Sequence, residues 1–194
     1  KQYIKVRYEK PGNVYVGLVH RLDRPTGGVM VYAKTSKAAA RLTAGLQTGE
    51  FEKKYLTVLC GAPDTERGTL CNYLRKNTVN NMVYICTPSE AGAKYAELDY
   101  KVLEVKNKYA LTEVRLHTGR THQIRVQTAG ISHPVYGDMR YGGALAKKGK
   151  LALWAYSLSF LHPIRNERLK FISCPPETET PWKAFDLAKA VEIK

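Results

Sequence analysis

Two short stretches of this chain hold more chemistry than folding alone requires. The first, His20-Arg21-Leu22-Asp23-Arg24-Pro25-Thr26-Gly27-Gly28, sets one carboxylate between two arginines and follows it with turn-forming proline and glycines. The second, Thr118-Gly119-Arg120-Thr121-His122-Gln123-Ile124-Arg125, joins a glycine turn, a helix start and two further arginines. An isolated aspartate between arginines is ordinarily a surface turn residue. Held in a cleft beside a guanidinium, the same carboxylate stays charged, the form a nucleophile or base needs. The four arginines Arg21, Arg24, Arg120 and Arg125 exceed what one aspartate can pair with. The surplus suits phosphate oxygens, which planar bidentate donors match best.

The charge balance points the same way. Lysine and arginine total 31 against 17 acidic residues, a formal charge of +14 over 194 residues. Such a surplus attracts a polyanion, and nucleic acid is the commonest one in a cell. No apolar run approaches the roughly 18 residues that span a bilayer, and no basic amphipathic helix stands out, so a membrane is not the expected partner. Cys60, Cys71, Cys86 and Cys174 show no C-x-x-C pairing, and His117 and His122 lack helical ligand spacing. The expectation is free thiols in a reducing cytoplasm, with no metal.

The elements that must position these stretches are mostly strands. Alternation and β-rich composition predict strands over 14–19, 28–33, 54–60, 70–74, 82–86, 93–105, 110–117, 151–161 and 169–174. Lys106-Asn107-Lys108 suits a hairpin turn. Thr35 or Ser36 caps a helix to about Gln47, with Gly49 as its stop. Thr121 is expected to cap a short helix to Ala129, ended by Gly130, and Pro181 to about Val191 reads as a docking helix. Strands joined by short turns indicate one α+β domain over 1–194: a mixed, mainly antiparallel sheet with flanking helices and a central cleft.

The string His20-Arg21-Leu22-Asp23-Arg24-Pro25-Thr26 resembles the H-R-L-D-x-x-[TS]-S-G signature of the RluA-type pseudouridine synthases, and Gly28 to Thr35 continues it. Lys53-Lys54-Tyr55 is similar to that family's K-x-Y motif, 118–125 to its T-G-R-x-H-Q-I-R, and 133–138 to its H-P-[IL]-x-G-D. Four motifs in order across roughly residues 14–163 are far more specific than any one. The resemblance implies an isomerase that turns uridine in ribosomal or transfer RNA into pseudouridine, acting as a monomer without cofactor. The N1–C1′ bond breaks, the uracil rotates, and C5 rejoins C1′.

By the same resemblance Asp23 is the catalytic aspartate, attacking C1′ or abstracting the C2′ proton. Tyr55 lines the pocket beside the uracil and assists proton removal at C5, and Arg125 pairs with the aspartate. Arg21 fills the space left by the flipped base. Arg24, Arg120 and His122 are expected to bind RNA; Arg120 could equally brace the cleft, and for His122 a helix-start role is the plainer reading. His133 and Asp138 are expected to shape a turn rather than react. A stacked uracil cannot rotate in place, so extrusion from the RNA is required, and loops make that cheapest.

Two departures stand out. Gly27 replaces the family's serine, removing a hydroxyl and adding backbone freedom, and Gln127 stands where histidine is common. Lys10-Pro11-Gly12 lies too close to His20 to be the K-P-x-G segment that precedes the aspartate loop in the family. The chain is therefore read as lacking N-terminal strands, with an upstream S4-like RNA-binding domain left open. Two rival readings are a catalytically weak RNA-binding module on the same fold and a hydrolase using Asp23 and His20. The hydrolase lacks a well-placed second carboxylate.

Overall fold

The structure is a computed structural model that describes residues 1–190. In chain order its elements are α1 (Gln2–Arg7), β1 (Gly17–Leu18), β2 (Gly27–Gly28), β3 (Tyr32–Ala33), α2 (Ser36–Gln47), β4 (Glu52–Cys60) and β5 (Arg67–Lys76). There follow β6 (Val83–Cys86), β7 (Lys94–Lys106), β8 (Tyr109–Leu116), α3 (Gln123–Gly130), β9 (Leu153–Leu161), β10 (Arg168–Ile172) and α4 (Leu187–Ala190). The strands form one sheet in the order β10-β9-β4-β8-β7-β5-β6, all antiparallel, to which β2 adds in parallel beside β9. Strands β1 and β3 make a separate small ribbon. The architecture is α+β with a mixed, mainly antiparallel sheet, as the run of short-turn strands predicts. Among the described residues no helix is long and apolar enough to cross a membrane.

Cross-strand partners share a sheet face, and along a strand the faces alternate. Lys53 pairs with Leu116, Leu116 with Leu98 and Leu98 with Leu70, which puts all four on one face, and Tyr55 joins them two residues on. Helix α3 covers part of this face: the Gln127 amide donates to the Leu70 carbonyl and to Asn72, at 2.9 and 2.8 Å. The opposite face carries Lys54, Glu113 and Tyr156 and is crossed by the chain after Pro181, where Asp186 N–H donates to Glu104. Trp182, Phe185 and Leu187 bury themselves in the main core there. Helix α2 anchors a second cluster, with Leu42 among Val19, Phe51, Leu158 and Phe160.

Several expectations change in detail. The strands predicted over 14–19 and 28–33 shrink to residue pairs, because Gly27 and Gly28 are drawn away to pair with Trp154 and Ala155 of β9. That is a long-range partnership no local pattern reveals. Helix α1 was not anticipated; it buries none of its side chains. Thr35, not Ser36, caps α2, its hydroxyl accepting from Ala38 N–H at 3.1 Å. Helix α3 starts one residue later than expected, with His122 and not Thr121 at its cap, and Gly130 lies inside its last turn. The expected docking helix is a 3-10 turn over Trp182–Ala184 and then α4; Val191 lies outside the described residues.

Candidate active site

The Asp23 loop is held at three points. Its turn closes with Thr26 N–H donating to the Asp23 carbonyl at 2.8 Å. Strand β2 ties its far end to β9, and the approach is close: a Cβ on Gly27 would enter the Trp154 ring, and one on Gly28, at φ +118, would meet the Ala155 carbonyl. The glycine at 27 therefore serves contact with Trp154, not the backbone freedom expected for it. Behind the loop, His20 Nε2 accepts from Val31 N–H at 3.2 Å. Burial lowers the His20 pKa, and the nearby Lys53 charge lowers it further. With its acceptor nitrogen occupied, His20 is a latch. That removes the general base a hydrolase reading needs.

Facing the loop, α3 delivers Arg125, one of its six buried residues. Its Nη1 donates to Asp23 Oδ2 at 3.4 Å, while its Nε and Nη2 clamp Asp138 at 2.7 and 2.8 Å. Asp138 is fully enclosed and also accepts from the backbone N–H groups of Arg140 and Tyr141. Burial works against both charges, yet the mutual hydrogen bonds prevail: Arg125 lies above its ordinary pKa and Asp138 below. Asp138 does shape a turn as expected, and it also fixes the guanidinium that faces Asp23. A carboxylate so tightly paired leaves Arg125 only one Nη to offer Asp23.

His122 sits at the start of α3 in the left-handed region, at φ +52. Its Nε2 lies 3.9 Å from Asp23 Oδ2, and its Nδ1 is 2.7 Å from the Tyr141 hydroxyl. Both neighbours thus approach the same Asp23 oxygen; among the described residues no hydrogen bond engages Oδ1. Tyr55 enters from β4, where a bulge against β9 falls between Lys54 and Tyr55. It is 9% exposed, and burial, with the Asp23 charge behind it, pushes its hydroxyl up to about 12.

These side chains line a cavity of about 610 Å³ that also takes in His20, Arg21, Lys53, Thr118, Arg120 and Gln123. The volume falls within the range of small-molecule sites. Of the residues picked out from sequence, Asp23, Tyr55, Arg125, Arg21, Arg120 and His122 all meet here; Arg24 is exposed and does not line the cavity. Arg120 is exposed as well, its Nε donating to the Tyr95 carbonyl at 2.7 Å, which braces the turn while leaving the rest of the guanidinium without a partner among the described residues. His133 contacts the Cys60 carbonyl and takes no part.

Two residues of the site had been given no role from the sequence. Lys53 lines the cavity, and burial lowers its pKa. The signal was available, since a residue two before Tyr55 on a strand must share its face. Tyr141 is the other. Its ring lies under the Arg125 guanidinium, 5.1 Å from centroid to carbon, while its hydroxyl accepts from Val83 N–H at 3.0 Å. No spacing rule links position 141 to position 125.

Residues 1–130 match the family model described as RNA pseudouridylate synthase. An uncharacterized RNA pseudouridine synthase of Aquifex aeolicus is 37% identical over 173 residues, covering 84% of this chain and 54% of that protein. The ribosomal large subunit pseudouridine synthase D of Vibrio cholerae is 35% identical over 175 residues, covering 83% and 53%. The chain thus spans about half the length of the curated relatives it matches. Among solved structures, human RNA pseudouridylate synthase domain containing 1 superposes with a TM-score of 0.72 at 26% identity, covering 95% of this chain and 77% of that one. Domain containing 4 shares the fold at a TM-score of 0.70 and 24% identity, covering 83% and 72%.

Proposed function

This chain belongs to the RNA pseudouridylate synthase family, and on that premise we propose that it isomerises uridine to pseudouridine in structured RNA. Ribosomal RNA is the favoured substrate, since relatives carry ribosomal large subunit in their names; transfer RNA is the second candidate. The reading adds a cytoplasmic monomer that uses no cofactor. The observation carrying it is one carboxylate, Asp23, with Arg125 at 3.4 Å on one oxygen and, among the described residues, no hydrogen bond on the other, beside Tyr55 in a basic cavity.

The chemistry follows from that arrangement. The target uridine leaves its stack and enters the cavity, with Arg21 occupying the gap. Asp23, through its unengaged Oδ1, attacks C1′ or takes the C2′ proton. The N1–C1′ bond breaks with its electron pair on the uracil, and the uracil turns in place. C5 bonds to C1′ as the Asp23–C1′ bond breaks or the C2′ proton returns, and C5 loses a proton while N1 gains one. A hydroxyl pushed up to about 12 keeps its proton near neutrality. Tyr55 therefore suits stacking and hydrogen-bond donation better than removal of the C5 proton. Arg24, Arg120 and His122 contact the RNA around the flipped nucleotide.

Asp23→Asn tests the assignment directly. Modification of ribosomal RNA, read as tritium released from [5-³H]uridine, is expected to fall by at least about 10⁴-fold. RNA affinity is expected to stay within about threefold, since Asp23 carries no phosphate contact. Undiminished turnover would remove Asp23 as the reacting group. A wild-type chain that binds RNA but never modifies it would make the protein a binding module.

A further inference from the structure

His122 and Tyr141 form a hydrogen-bonded pair pressed against the charged centre. The Tyr141 oxygen accepts from Val83 N–H at 3.0 Å and stands 2.7 Å from His122 Nδ1. The two rings meet edge to face at 5.7 Å. His122 has two arrangements open to it. With the proton on Nδ1, that nitrogen would donate to a tyrosine oxygen already accepting from Val83. The tyrosine O–H would then lack a partner among the described residues, and the bare Nε2 lone pair would face the Asp23 carboxylate. With the proton on Nε2, Tyr141 O–H donates to Nδ1 and the remaining N–H lies on the nitrogen 3.9 Å from Asp23 Oδ2. A part-buried site with low local dielectric strongly favours the satisfied arrangement.

We infer that Tyr141 is a positioning residue: its hydroxyl sets the proton of His122, which presents Nε2–H to Asp23 as a second donor beside Arg125. This rests on the reading of Asp23 as the reacting group. The imidazole is neutral in this role. Burial lowers its pKa; the facing carboxylates Asp23 and Asp138 oppose the fall, while Arg125 and Arg140 reinforce it. The 3.9 Å separation leaves Nε2–H poised and not fully engaged with Asp23. Because both donors address Oδ2, Oδ1 is the oxygen left for the reaction.

The tautomer is directly observable. Long-range ¹⁵N–¹H correlation of the imidazoles in the free protein, with His122 assigned by its loss in His122→Gln, is expected to show a protonated Nε2 and an unprotonated Nδ1. A proton on Nδ1 overturns the inference whether or not the chain modifies RNA, so this arm fails independently of the proposed function. Tyr141→Phe keeps the ring under Arg125 and deletes only the hydroxyl. It is expected to mix the tautomers and to lower single-turnover tritium release about tenfold, a factor typical of one lost hydrogen bond. KM should stay put, so that the loss falls on turnover alone. An unchanged rate with an unmixed tautomer overturns the proposal. The two amides complete the test. His122→Gln places an N–H near the Nε2 position and should retain most of the rate. His122→Asn, equally at ease in the left-handed region, reaches only the Nδ1 position and should fall with Tyr141→Phe. The reverse order contradicts the assignment.

Discussion

Lys53 and Lys54 are neighbours on β4 with opposite electrical surroundings. Lys54 points to the face crossed by the C-terminal segment and pairs with Glu113 at 3.7 Å, where Glu113 also receives the Tyr156 hydroxyl. Around it Arg115 pairs with Glu52, His117 with Asp99 and Lys106 with Glu104. Lys53 points into the cavity, and among the described residues neither it nor Arg21, Arg24 or Arg120 has an acidic partner within 4.0 Å. The charges nearest Lys54 are largely paired with one another, whereas the cavity keeps cations available for a polyanion. The net charge of +14 is therefore less informative than its distribution.

The largest test of this contrast removes one carboxylate from each face. Asp138→Asn leaves a buried guanidinium half-partnered and should cost about 3 kcal/mol of stability in urea unfolding, with turnover falling at least about 100-fold. Glu113→Gln, which loses a partly exposed pair and weakens one tyrosine hydrogen bond, should cost about 1 kcal/mol and leave turnover intact. Equal losses would erase the distinction between the faces.

Next in size is the lysine pair itself. Lys53→Met should weaken RNA binding about tenfold and reduce the salt dependence by about one counterion, whereas Lys54→Met should change affinity less than about twofold. Relief of a half-buried charge with no acidic partner among the described residues should also raise the melting temperature of Lys53→Met by about 2–4 °C, a shift that corresponds to roughly 1 kcal/mol at this size. Loss of stability with unchanged RNA binding would make Lys53 a structural residue.

The smallest effect is in acid. His20 and His122 both lie below the ordinary histidine value of 6.5. Between that value and their folded values the unfolded chain binds more protons, so stability falls as pH drops below 6.5. On the other face, His117 and Thr69 hold Asp99 below the usual 3.8, a contribution present above that pH and lost only beneath it. Urea midpoints measured from pH 7.5 down to 3 should therefore begin to fall below 6.5. His122→Gln should flatten the first part of that decline without touching the last.

Much of the fold was legible in the residues because its signals are local. Period-two alternation located the long strands β4, β7, β8 and β9, Asn107 at φ +56 turns the hairpin where expected, and Thr35 with Gly49 brackets α2. The illegible parts depend on distant partners. The Asp23 loop surrenders its predicted strands because β9 captures Gly27 and Gly28, and α3 takes its cap from His122 in a conformation that propensity does not favour.

The sequence by itself determined the family, the strand-rich α+β class, and the side chains that gather around Asp23, since short motifs and their chemistry survive in one dimension. Only the tertiary structure decided how those side chains divide their bonds. Arg125 gives two of its donors to Asp138 and one to Asp23, Tyr141 backs both Arg125 and His122, and Lys53 and Lys54 part company across the sheet. Hydrogen-bond partnership depends on positions within about 3 Å, and such proximity between residues 13 to 102 apart is a property of the packed chain, not of its spelling.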